Sequence, residues 1–289
     1  MTRRLGSLLT PAGLLASLLV TLGTVVGASS AQAASFQDWK SVDAGKSHSC
    51  GVRNNGKLYC WGYNGNGQIG DGTIGAGIHR LNPTRIGEFA DWTSVATSAA
   101  HSCGVRDPGK LYCWGFNGDG QVGDNTSGTD RSNPIRIGGF QDWKNAATGA
   151  SHSCGVRNNG KLYCWGNNDH AQIGDNTSGT DRKIPTRIGG FEDWTSASAG
   201  GSHSCAVRNN GKLYCWGYNA YGQIGDDVAG PWPTPRRVSA FEDWTGASAG
   251  EDHSCGVRNN VKLYCWGYNA YGQVGDGTSD TFRFAPVRI

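Results

Sequence analysis

Apolar positions along this chain fall into two patterns. From about Leu14 to Val26 they run almost unbroken, behind Arg3 and Arg4 and ahead of the small-residue stretch Ala31-Gln32-Ala33. A charged start, an apolar middle and an Ala-x-Ala close make the pattern of a cleaved secretory signal. Cleavage is expected after Ala33, so residues 1–33 read as the signal and 34–289 as the mature chain. A permanent membrane anchor is the competing reading. It is weakened because Ser17, Thr21, Gly23 and Thr24 interrupt a run already short for a span.

Past the signal the pattern becomes short apolar runs separated by Gly, Asn and Asp, which predicts strands and turns. The pattern also repeats. An Asp-Trp pair ends at Trp39, Trp92, Trp143, Trp194 and Trp244, in steps of 53, 51, 51 and 50 residues. A fixed period of this length marks a propeller or a related array. The copies lie at about 36–88, 89–139, 140–190, 191–240 and 241–289. Each opens on Phe-x-Asp-Trp or a close variant and continues through a small-residue stretch such as Ala197 to Gly201. A segment like HSCGVRNNGKLYCWG follows, then Gly-Gln-Ile-Gly-Asp, then Pro-x-Arg-Ile. These pieces resolve into about four strands per copy, so the predicted fold is an all-β propeller of five four-stranded blades. The first strand carries Val42, Val95, Ala147, Ala197 and Ala247 among Ser, Ala and Gly, side chains small enough for the wall where blades converge. The chain ends at Pro286-Val287-Arg288-Ile289, in phase with its first copy. A ring closed by the N- and C-terminal strands is therefore expected, with an association-prone open arc as the alternative.

The middle hairpin has a readable register. With Asn54-Asn55-Gly56 as a three-residue loop, Arg53 pairs with Lys57, and counting outward sets Val52 opposite Leu58, Gly51 opposite Tyr59 and Cys50 opposite Cys60. The cysteines then face each other at a non-hydrogen-bonded position, where side chains come closest. All ten obey the rule: Cys50 with Cys60, Cys103 with Cys113, Cys154 with Cys164, Cys205 with Cys215 and Cys255 with Cys265. Zinc is the competing reading, since His48 and Cys50 lie two apart on one strand. Paired thiols in every copy of an exported chain fit disulfides better. Two turns break the rule. Asp107-Pro108-Gly109 is expected to shift, and Val261 replaces the usual Gly, so it is either strained or in a different turn.

The unit resembles the repeat of the regulator of chromosome condensation family. The likeness rests on Gly200-Gly201-Ser202-His203-Ser204, on Gly211 to Gly217, and on Asn64 with Gly67-Gln68-Ile69-Gly70, whose equivalents recur in every copy apart from Ala171 for the first Gly in the third. It covers essentially the whole mature chain and implies a β-propeller of four-stranded blades. The best-known members have seven blades, against five copies here. The family's namesake activity, nucleotide exchange on a nuclear GTPase, does not fit an exported chain without a long insertion. Secreted bacterial propellers of the family inhibit β-lactamases by covering the active site, and with them the likeness is one of architecture.

Charge narrows the function. Lys and Arg number 26 against 23 acidic residues and are spread evenly, so no basic face offers itself to nucleic acid or to an anionic membrane. No phosphate-cradling loop or cofactor fingerprint occurs, and no cofactor or metal is expected. His48, His101, His152, His203 and His253 are one position seen five times and read as residues bonded within or between blades. Asp71, Asp124, Asp175, Asp226 and Asp276 read as turn caps. His and Ser are neighbours on a strand and point to opposite faces, which argues against a hydrolase and for a non-enzyme.

Subtracting the repeats leaves two variable zones. The loop after each Gly-Asp holds His79, Arg80, Arg131, Arg182, Trp232, Phe282 and Arg283; the segment after Trp-Gly holds Tyr63, Phe116, His170, Tyr221 and Tyr271. Aromatic and Arg side chains on loops are the usual anchors of a binding face. Trp232, between Pro231 and Pro233, is expected to be exposed, and Tyr63, Phe116, Tyr218 and Tyr268 to pack between blades. The expected function is a secreted protein-binding propeller whose partner is an extracellular protein, acting as inhibitor or scaffold of an enzyme. A lectin-like binder of extracellular glycan with one weak site per blade is the alternative, followed by a structural envelope module.

Overall fold

The computed structural model describes residues 38–289, so the expected signal peptide and its cleavage point lie outside the described residues. Twenty strands form among the described residues. Blade one holds β1 (Trp39–Ala44), β2 (His48–Arg53), β3 (Leu58–Tyr63) and β4 (His79–Arg85); blade two holds β5 (Trp92–Thr97), β6 (His101–Arg106), β7 (Lys110–Gly115) and β8 (Arg131–Arg136). Blade three follows with β9 (Trp143–Thr148), β10 (His152–Arg157), β11 (Leu162–Gly166) and β12 (Arg182–Arg187). Blade four has β13 (Trp194–Ala199), β14 (His203–Arg208), β15 (Leu213–Gly217) and β16 (Trp232–Arg237), and blade five β17 (Trp244–Ala249), β18 (His253–Arg258), β19 (Leu263–Tyr268) and β20 (Phe282–Arg288). Within each blade, strand order is sequence order. First strands line a central cavity of roughly 410 Å³, to which all five blades contribute small residues such as Ala44, Ser98, Gly149, Gly200 and Gly250.

The hairpin register is the one read from sequence: Val52 faces Leu58, Gly51 faces Tyr59 and Cys50 faces Cys60. Five disulfides form in the expected pairs, and no described cysteine is free. In blade two the Asp107–Pro108 peptide is cis, while Arg106 still pairs with Lys110 and Cys103 with Cys113, so the turn changes its geometry without shifting the register. Val261 keeps the glycine turn, at φ 55°.

The core lies between blades. Cys50, Val52, Leu58, Cys60, Ile69 and Ile86 of blade one pack under Trp92 and Trp114 of blade two. The same cluster recurs at the next three seams. Approach is tight: a Cβ on Gly70 would lie 2.6 Å from Trp114 Nε1.

No such cluster joins blade five to blade one among the described residues, so the expected closure by the terminal strands is not seen among them. There β1 pairs only with β2 and β20 only with β19. Val257 and Leu263 are each 40% exposed, where Val52 and Leu58 are fully buried. Each repeat completes its own four-stranded sheet, so no described strand crosses between the ends. Blade five's outward face therefore stays uncovered by blade one.

Candidate functional site

Each of the four packed seams is locked by one chain of polar groups. His48 Nε2 lies 2.7 Å from Ser102 Oγ on the next blade; that hydroxyl donates to the Gln68 carbonyl at 3.0 Å, and Trp114 Nε1 donates to the same carbonyl at 2.9 Å. A hydroxyl has one proton, and Ser102 gives it to Gln68. Its histidine bond must then be accepted, which assigns the proton of His48 to Nε2. His101 with Ser153, His152 with Ser204 and His203 with Ser254 repeat the arrangement. Burial pushes His48 and His152 down to about 4 and His101 and His203 to about 3. These are neutral structural imidazoles, aimed at serines rather than at an open cleft. Among the described residues, no group of three or more His, Cys, Asp or Glu is placed to hold a metal ion.

A second recurrent unit absorbs the arginines of the Gly-Asp loops. Asp124 Oδ1 accepts from the Thr126 backbone N–H and hydroxyl, while Arg131 Nε donates to its other oxygen at 2.6 Å and Arg131 also reaches Thr126 Oγ1. Burial alone would raise the Asp124 carboxyl, but the bonds from Thr126 and Arg131 outweigh it and hold it below its usual value. Arg80, Arg182 and Arg283 are held likewise by Asp71, Asp175 and Asp276. Expected as anchors for a partner, these arginines serve their own turns. In blade four Arg236 pairs with Asp226 instead, and its guanidinium lies 4.0 Å from the centre of the Trp232 ring. Trp232 packs against the cores of both flanking seams and is half-buried. The expectation that it is exposed is thereby corrected: the prolines extend the strand, but Arg236 and two apolar clusters hold the ring down.

The remaining candidates share one face. The N–H of Tyr63 donates to the Ser47 carbonyl, Tyr218 to Ser202 and Tyr268 to Asp252, which puts the segments after Trp-Gly beside the loops between first and second strands, at one mouth of the central cavity. Around this face the seams differ in kind. Between blades one and two, Asn66 Nδ2 donates to Asp130 at 3.0 Å. Between two and three, burial raises the Asp119 carboxyl, with Asp181 and Asp169 adding to the shift. Aromatics take over from blade three: His170 lies 4.9 Å from Tyr218, Tyr218 5.8 Å from Tyr221, and Tyr221 5.0 Å from Tyr268 and 5.1 Å from Phe282. Tyr271 continues the ribbon from Tyr268 and is 88% exposed.

So four expected candidates, His170, Tyr221, Tyr271 and Phe282, are brought together. Tyr63 and His79 form a separate pair on blade one, ring centres 5.5 Å apart, and the Phe116 ring lies over Gly118 on blade two. Tyr218 and Tyr268, expected only to pack between blades, are half-exposed members of the ribbon. Asp119 and Asp252 were not singled out from sequence. The signal was there, in an acid standing where other copies carry Asn, His or Tyr in one case and Ser or Ala in the other.

A family model for the RCC1-like domain matches residues 25–289. Among curated proteins, the ultraviolet-B receptor UVR8 of Arabidopsis thaliana is 33% identical over 192 residues, spanning 64% of this chain and 42% of its own length. The mitochondrial RCC1 domain-containing protein RUG3 of the same plant is 29% identical over 200 residues, spanning 64% and 43%. The chain thus spans about two fifths of the length of these relatives. Of solved structures, human WBSCR16 superposes with a TM-score of 0.78 at 23% identity, covering 87% of this chain and 67% of its own. Yeast RCC1 (Prp20), solved in complex with Kap60, gives 0.76 at 23%, covering 86% and 60%. At that identity the two structures establish the fold alone.

Proposed function

The chain belongs to the RCC1-like domain family, whose propellers generally serve protein interaction, and from that premise we propose that it is an exported, non-enzymatic binding propeller that grips one protein partner through the aromatic face of blades three to five. The observation that carries this is the change of character around the face. His170, Tyr218, Tyr221, Tyr268, Tyr271 and Phe282 form a continuous ribbon on three blades, while the same positions on blades one and two are polar, acidic or isolated. A binder of repeated sugar units would need equivalent sites; a ribbon confined to one sector suits a single asymmetric partner. Aromatic anchors with adjoining polar groups are the usual makings of such a hot spot. Export is supported by the five disulfides, which persist in oxidising compartments. Seated over an extracellular enzyme, such a face would act as its inhibitor or scaffold.

The test is retention of the oxidised protein on cell envelopes, with free sugars or excess secreted protein as competitor. Release by protein alone, and a loss of at least about tenfold in affinity for Tyr221→Ala with no change for Tyr63→Ala, is the expected result. Release by sugars, with equal losses from either variant, would favour the glycan reading instead.

A further inference from the structure

At one position near the cavity mouth, blade five departs from the rest. Ser47, Ala100, Ser151 and Ser202 are succeeded there by Asp252, and the residue before it is Glu251 where the others have Lys46, Ala99, Ala150 and Gly201. The Asp252 carbonyl accepts the N–H of Tyr268 at 2.9 Å, which fixes the residue against the ribbon. Its side chain is half-buried and accepts from Gln223 Nε2 at 3.4 Å, a long bond for a carboxylate. Among the described residues no Lys or Arg forms an ion pair with Asp252 or Glu251. Burial raises the Asp252 carboxyl, Glu251 adds to that, and the phenols of Tyr218 and Tyr268 are raised by burial with the Asp252 charge contributing. In four blades the carboxylate of the Gly-Asp loop meets an arginine and a threonine, as Asp124 does; Asp252 has neither.

A carboxylate short of partners beside several π faces is complementary to a cation, which gains a charge-assisted hydrogen bond from the one and a face-on attraction from the others. We propose that the seam between blades four and five receives a lysine or arginine side chain of the partner protein, with Asp252 meeting its charge and Tyr218, Tyr221 and Tyr268 flanking its stem. This rests on the protein-binding reading and adds the chemistry of the residue recognised.

The test is calorimetric titration of the oxidised protein with N-acetyl-hexaarginine amide and, separately, with a neutral chitin hexamer. Saturable binding of hexaarginine is expected, weakened at least tenfold by Asp252→Asn and by Tyr221→Ala, retained by Asp252→Glu and by Glu88→Gln on the opposite face, with melting temperatures showing each variant folded. No saturable binding of hexaarginine, binding indifferent to Asp252→Asn, or binding of the chitin hexamer alone would overturn the assignment. An envelope partner lost with Tyr221→Ala but kept by Asp252→Asn would leave the protein-binding reading standing and remove only the cation site.

Discussion

Val261 occupies the left-handed region at φ 55°, which costs a β-branched side chain roughly 1–2 kcal/mol relative to glycine. Its equivalents Gly56, Gly160 and Gly211 have no choice: a Cβ on Gly160 would stand 2.1 Å from the Glu192 carbonyl oxygen, because the chain leading into the next blade crosses there. In blade five no described segment crosses, and Val261 projects freely at 89% exposure. Val261→Gly should therefore raise the melting temperature, by an amount equivalent to about 1 kcal/mol, while Gly160→Ala should lower it by the equivalent of about 3 kcal/mol or more, both read by thermal denaturation. Equal effects at the two sites would show that the close approach is not real. Sequence exposed the anomaly at Val261 but not its release, since the crossing segment lies more than 30 positions away along the chain. Trp232 shows the same limit: its flanking prolines were legible, whereas the Arg236 stack and the two seam cores beneath it were not.

Between elements, the seam is the unit of stability. Each His-Ser-Gln-Trp chain is buried, and burial favours the neutral imidazole; in three of the four, Nδ1 of His48, His152 and His203 has no hydrogen-bond partner among the described residues to accept a bond from a second proton. The folded values of about 3 to 4 lie below the ordinary 6.5, so the unfolded chain takes up these protons first as pH falls. The stability they confer is complete above about pH 6.5 and is lost as pH falls toward 4, at up to about 1.4 kcal/mol per pH unit for each histidine. Melting temperatures taken from pH 7.5 to 4.5 should be flat at the top and fall increasingly steeply below about pH 6.5; a flat profile down to pH 5 would rule out buried neutral imidazoles. Recurrence of the histidine already argued for a structural role. Its partner could not be read, because the serine it meets belongs to the next repeat, some fifty residues on.

At the scale of the whole propeller, four packed seams join the five blades among the described residues, and the faces at the two ends differ from the interior ones. Cys50–Cys60 and its counterparts at the other three packed seams lie sealed under a neighbouring blade, whereas Cys255 is partly exposed beside Val257 and Leu263. Under a mild reductant at neutral pH, Cys255–Cys265 should open first, with the other four resisting until the protein unfolds. Alkylation followed by peptide mass spectrometry checks this, and simultaneous reduction of all five would show that end and interior blades are equally accessible. Much of the architecture was written in the chain. The period gave five blades, the three-residue loop gave the hairpin register, and that register gave all five disulfides, because these depend on contacts within about a dozen residues. What only tertiary structure decided lies across the seams: that no apolar cluster joins blade five to blade one among the described residues, that the loop arginines are bound by their own aspartates, and that tyrosines from separate repeats meet beside Asp252. Local spacing fixes which way a side chain leaves its strand, but the groups it meets on another blade are set by how the blades pack, and no periodicity within one repeat encodes that.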